Sequence, residues 1–187
     1  MPFPHPPRTS SVLASMLAAA GLMLTVGSCS HVVPIGPDTR GSTIPPPRHL
    51  GSPIVLQVMR SRPATAPGKC PAGYIALSTP GYAGTCYRSL GTPVTITSAG
   101  LSPVARQPSG HGPAIYGFRV VPNGDMAAVT ALIAQAYRSR DALGVIVAGK
   151  LWEAPQVTAP FPAQQMQIGA LSKSRAEQLY RLLVPPS

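Results

Sequence analysis

Apolar positions are patterned most clearly at the C-terminal end of the chain. Val145-Ile146-Val147-Ala148 is a short apolar run closed by Gly149 and Lys150. A run this short between glycines predicts a strand buried on both faces rather than a helix. Extended chain interrupted by Pro155 and Pro160 follows, with a second short strand expected around residues 166–168. Beyond Gly169, Ser172 is placed to N-cap a helix whose Ala176, Leu179, Tyr180 and Leu183 recur at the helical period.

Upstream, the alternation of Ile54, Leu56 and Val58 with Val55, Gln57 and Met59 predicts an opening strand over residues 54–60. The basic, proline-containing residues 60–68 read as loop. Residues 94–98, VTITS, form a β-branched run and a further strand. Residues 101–113 look irregular. Residues 115–121, IYGFRVV, predict a strand with Tyr116, Phe118 and Val120 in the core and Arg119 outside, stopped by Pro122. Asn123 is then expected to cap a helix, with Asp125 complementing the positive end of its dipole. Its buried stripe would be Met126, Val129, Leu132, Ile133, Ala136 and Tyr137, with Arg138 and Arg140 at the negative end.

The N-terminal part is of a different kind. Arg8 precedes an apolar stretch over residues 12–26, which has the length of a signal-peptide core and is short for a spanning helix. It ends in Val26-Gly27-Ser28-Cys29, similar to a bacterial lipobox. Small residues before the cysteine admit the backbone to the signal peptidase, and the Cys29 thiolate is the atom that takes a diacylglycerol. Two or three acyl chains, at ~0.8 kcal/mol per buried methylene, anchor a protein where one does not. The alternative is an ordinary signal peptide or an uncleaved anchor in which Cys29 is incidental. The expected organisation is a lipoprotein signal peptide over residues 1–28, a proline-rich tether over 29–53, and one folded domain over 54–187.

Composition sharpens this division. The 24 prolines and 18 glycines among 187 residues are too many for a chain compact from end to end. The net charge of +10 is unevenly spread. Between Asp38 and Asp125 there is no carboxylate, while Arg40, Arg48, Arg60, Arg62, Lys69, Arg88, Arg106 and Arg119 all fall in that interval. A basic half without acids favours anionic surfaces such as lipid headgroups or wall polymers, its plain alternative being a solvated basic surface. Nucleic acid is not the expected partner of a chain with an export signal.

With Cys29 set aside, Cys70 and Cys86 bracket a Gly/Pro-rich segment of an exported chain, and a disulfide between them is expected. Two buried free thiols, or a metal site lacking any neighbouring histidine, are the alternatives.

The order strand, proline-marked crossing, strand, glycine, capped helix over residues 144–183 resembles the end of the periplasmic head subdomain of the protein-export membrane protein SecD. The likeness rests on the apolar run before Gly149, on Ala154-Pro155 with Val157, on the Ile168-Gly169 strand and on the Ser172-led helix. It covers residues 115–183 and extends more faintly back to residue 54, through Tyr87-Arg88, Gly91 and the strand after them. The resemblance implies an α+β fold, a mainly antiparallel sheet with two helices packed on one face. Two departures stand out: the family's Asp before the glycine is Ala148 here, and its acidic residues at the start of the last helix are Ser174 and Arg175. Without spanning helices like those of SecD, the resemblance implies a binding module rather than a translocase motor.

Chemistry-bearing patterns are sparse. No two of Asp38, Asp125, Asp141, Glu153 and Glu177 form a recognisable acid/base pair, and His111 stands alone in a glycine-rich loop. No nucleophile elbow or phosphate-binding glycine pattern occurs. The expectation is a non-enzyme without metal or cofactor. Two functions follow: a lipid-anchored extracytoplasmic module contacting exported or envelope polypeptides, or a structural, adhesive lipoprotein whose basic half holds anionic envelope polymers. For the first, Trp152 in the crossing at residues 151–157 is the candidate contact, although a lone tryptophan is more often a packing anchor.

Overall fold

Ile54, Leu56 and Val58 alternate onto one face of a strand, and all three are fully buried. Their strand, β1 (Arg48–Pro63), is the middle of the sheet. On one side it pairs antiparallel with β3 (Thr85–Leu101), and on the other with β6 (Ala142–Val147), from Ile54 opposite Val147 to Met59 opposite Ala142. The structure, a computed structural model, describes residues 44–66, 69–76, 84–107 and 113–185. The signal segment, Cys29, residues 30–43 and His111 lie outside the described residues.

The sheet is completed by β2 (Ile75–Ala76), β4 (Ala105–Gln107), β5 (Ile115–Pro122), β7 (Lys150–Glu153) and β8 (Gln167–Leu171), and among the described residues every strand pairing is antiparallel. Leu101 of β3 sits opposite Val120 of β5, and β4 resumes along the same edge of β5 with Ala105 opposite Gly117. β8 takes the other edge of β5. The order across the sheet is therefore β8, β5, β3, β1, β6, β7, curled into a half-barrel. Helices α1 (Met126–Ser139) and α2 (Lys173–Leu183) cover one face. Val129, Leu132, Ile133 and Ala136 of α1, and Ala176, Leu179 and Leu183 of α2, share one core with Ile54, Leu56, Val58, Phe118 and Val120. Each large aliphatic side chain so buried contributes about 1.5–3 kcal/mol. The opposite face carries a smaller cluster of Met59, Tyr87, Ala142 and Leu151. The α+β class, with a mainly antiparallel sheet and two helices, agrees with the sequence expectation.

Several local expectations are corrected. Residues 48–53, placed in the tether, form the first part of β1, and Ile44 and Pro45 pack against Gly100. Residues 60–63, read as loop, continue β1, because Thr85–Leu90 offers a long antiparallel partner. Asn123 does not cap α1. Its N–H donates to Ser98 O at 2.9 Å, and the cap position belongs to Asp125, which makes no side-chain cap bond. Met126 and Tyr137, at the two ends of the α1 stripe, are exposed, and the buried stripe is Val129, Leu132, Ile133 and Ala136. Among residues 101–113, the three-residue β4 went unpredicted. Among the described residues no helix is long and apolar enough to cross a membrane.

Candidate functional site

Beyond the helices, the far ends of β1 and β3 carry arginines in register. Arg60 stands directly opposite Arg88, and Arg62 opposite Cys86. All three arginines are exposed. Alternation puts them on the same side as Val58, past the part of the sheet that α1 and α2 cover. β2 adds a third strand here through Ile75 opposite Tyr87, which brings Tyr74 level with Arg88. The Arg62 and Arg88 guanidinium carbons lie 5.4 and 5.5 Å from the centre of the Tyr74 ring. Such cation–π contacts stabilise by about 0.5–1 kcal/mol at exposed positions and hold the two cations in place.

The segment that delivers Tyr74 is fixed covalently. Cys70 and Cys86 are joined as a disulfide, with their Cα atoms 5.5 Å apart. A turn between Ala66 and Lys69, closed by the Lys69 N–H to Ala66 O at 2.9 Å, precedes it. A chain this rich in glycine and proline has little apolar surface with which to pack, so the crosslink and the short β2 pairing position it.

Charge at this end is almost wholly positive. Arg60 reaches Asp141 at 3.3 Å, and the Asp141 side chain is only 8% exposed. Among the described residues, Arg62 and Arg88 have no carboxylate at ion-pair distance. The neighbouring residues 67–68 and 77–83 contain no Asp or Glu. Like charges directly opposite each other across an antiparallel pair are destabilising, so this array carries a cost in the fold.

A second polar cluster lies where the two ends of the half-barrel approach one another. A bulge in β7 sets Glu153 opposite Val145 and Leu151 opposite Ile146, leaving Trp152 as the extra residue. The bulge turns both Trp152 and Glu153 toward the helix-covered side. Glu153 Oε2 accepts the Gly169 N–H of β8 at 3.3 Å, while Oε1 is buried with no hydrogen-bond partner. Burial pushes the Glu153 carboxyl up to about 8, against the smaller opposing pull of the Gly169 N–H and the Arg175 charge. Arg175, from the first turns of α2, lies 5.1 Å over the Trp152 ring.

Trp152 itself is buried, and its Nε1–H donates to Val147 O at 3.2 Å. This is the setting of a packing anchor, the alternative that the sequence also offers for a lone tryptophan. The sequence places Arg62 and Arg88 in the basic interval but not together, and Tyr74 and the Glu153–Arg175 pair escape it. The alternation of Arg60 and Arg62 was the available signal, hidden by ending β1 at residue 60. Among the described residues no three His, Cys, Asp or Glu side chains gather as a metal site. Comparison with protein-family models, with curated proteins and with solved structures finds no match to this chain.

Proposed function

We propose that this chain is a lipid-anchored extracytoplasmic module that binds anionic polymers of the cell envelope through the basic end of its sheet. The observation that carries the reading is the exposed Arg60, Arg62 and Arg88 array, drawn from an interval of sequence that contains no carboxylate. Cys29 at the end of the apolar leader supplies the anchor, and the proline-rich residues after it supply reach. The likeness to the SecD head belongs to the same proposal, supported by the order β6, β7, crossing, β8 and α2. No catalytic role is proposed.

The polypeptide-binding reading has less to stand on. It relied on Trp152, which is buried, and on open sheet edges. β7 spans four residues, and β8 has its outward Gly169 N–H occupied by Glu153, so neither offers a long free edge to an extended peptide.

The test is a titration of the full chain in nonionic detergent micelles with an anionic polymer and, separately, with an unfolded polypeptide, at low and moderate salt. Saturable polymer binding that weakens steeply with salt is the expected result. Salt-resistant polypeptide binding with no affinity for the polymer overturns the proposal.

A further inference from the structure

Resting on that reading, we propose that Arg62 and Arg88, held on the Tyr74 ring beside Arg60, form a discrete site for a phosphate group of a phosphate-bearing polymer. The ring contacts at 5.4 and 5.5 Å limit where both guanidiniums sit before any ligand arrives. Fixing the donors in advance reduces the ordering cost of binding. Each guanidinium offers a planar fork of parallel N–H donors. A phosphate within a polymer keeps two non-bridging oxygens that share its charge, splayed about a tetrahedral phosphorus, and these accept from guanidiniums on two neighbouring strands at once.

Charge supports the same assignment. Arg60 is partly neutralised by Asp141 at 3.3 Å, whereas neither Arg62 nor Arg88 has a carboxylate within ion-pair distance among the described residues. No such residue is supplied by the adjoining sequence from 67 to 83. The disulfide keeps the strand end that bears Tyr74 against β3. Ile75, at 46% exposure, is the one large hydrophobic side chain exposed at this end among the described residues.

The experiment compares R62Q/R88Q with R106Q/R119Q, which removes the same charge from exposed positions on β4 and β5. The full chain in nonionic micelles is titrated with polyphosphate, with polyglutamate, and with micelles doped with phosphatidylglycerol. Both doubles should fold as the parent does, since all four side chains are exposed; in R62Q/R88Q the lost ring contacts and the relieved like-charge repulsion offset one another. Polyphosphate affinity is expected to fall about tenfold or more in R62Q/R88Q and less than about threefold in R106Q/R119Q. The slope of log affinity against log salt should become shallower by about 2 in the first double. Polyglutamate should bind the parent more weakly than polyphosphate. Equal losses in the two doubles overturn the site and leave polymer binding by diffuse charge standing. Binding confined to the doped micelles overturns the polymer in favour of lipid headgroups. A parent that binds no polyanion at low salt overturns the functional reading itself.

Discussion

At the scale of single residues, Glu153 sets the strongest pH dependence among the described residues. Its carboxyl is raised from 4.5 to about 8, chiefly by burial, with Gly169 N–H and Arg175 pulling the other way. Below pH 4.5 the group is neutral in both the folded and the unfolded chain and costs nothing. Between 4.5 and about 8 the unfolded chain releases the proton and the folded chain keeps it, so stability falls as pH rises. The slope is about 1.4 kcal/mol per pH unit, and the accumulated loss is on the order of 3 to 5 kcal/mol, flat above the upper limit. Glu153→Gln retains an oxygen for the Gly169 N–H and has no proton to release. Denaturant unfolding of this variant across pH 4 to 9 should lose most of that slope, with a higher midpoint than the parent at the alkaline end. A slope unchanged by the substitution shows that the carboxyl is not buried as described.

Among the elements, the β6–β7 hairpin and the disulfide segment are the most open to test. Ala148 and Gly149 form a two-residue turn in which both φ angles are positive, at 50° and 72°. A turn of that hand suits Asn or Asp before Gly, and alanine there carries about 1 kcal/mol of backbone strain. Ala148→Asn should therefore raise stability by about 0.5–1 kcal/mol in urea unfolding. Replacing Cys70 and Cys86 together by alanine should cost about 3 kcal/mol and leave β2 exchanging its amide hydrogens freely while β1 and β6 stay protected. Much of this architecture was legible from alternation and helical spacing. Residues 54–60, 115–121 and 145–147 and both helices fell where expected, because each packs an apolar side against one shared core. What was not legible depends on partners distant in sequence. Arg60–Pro63 is a strand because Thr85–Leu90 lies beside it, and β4 exists because β5 has an edge to fill. Asn123 bonds Ser98 rather than α1, and the β7 bulge that buries Trp152 leaves no mark in composition. The arginine site joins three strands through a disulfide and a tyrosine, and no local window contains it.

For the whole molecule, the separation of charge and anchor makes a simple prediction. If Cys29 carries the lipid, Cys29→Ala should shift the protein from the detergent-extracted membrane fraction to unprocessed precursor, visible by fractionation and intact mass. Unchanged processing and anchoring rule that residue out. The approach of β7 and β8 has a consequence of another kind, for how copies of the chain treat one another. Among the described residues β8 is the last strand on its side of the sheet, and Met166 O, one residue before it, faces inward to Val120 N, so the Gly169 N–H faces outward. A bare outward N–H on a terminal strand is where a second chain can begin to add itself, strand to strand. Glu153 occupies that donor at 3.3 Å from the opposite end of the same sheet, so the curl of the half-barrel lets the molecule guard its own border. Glu153→Gln keeps the guard and Glu153→Ala removes it. In sedimentation at rising concentration, the first should remain single and the second should gather into larger species.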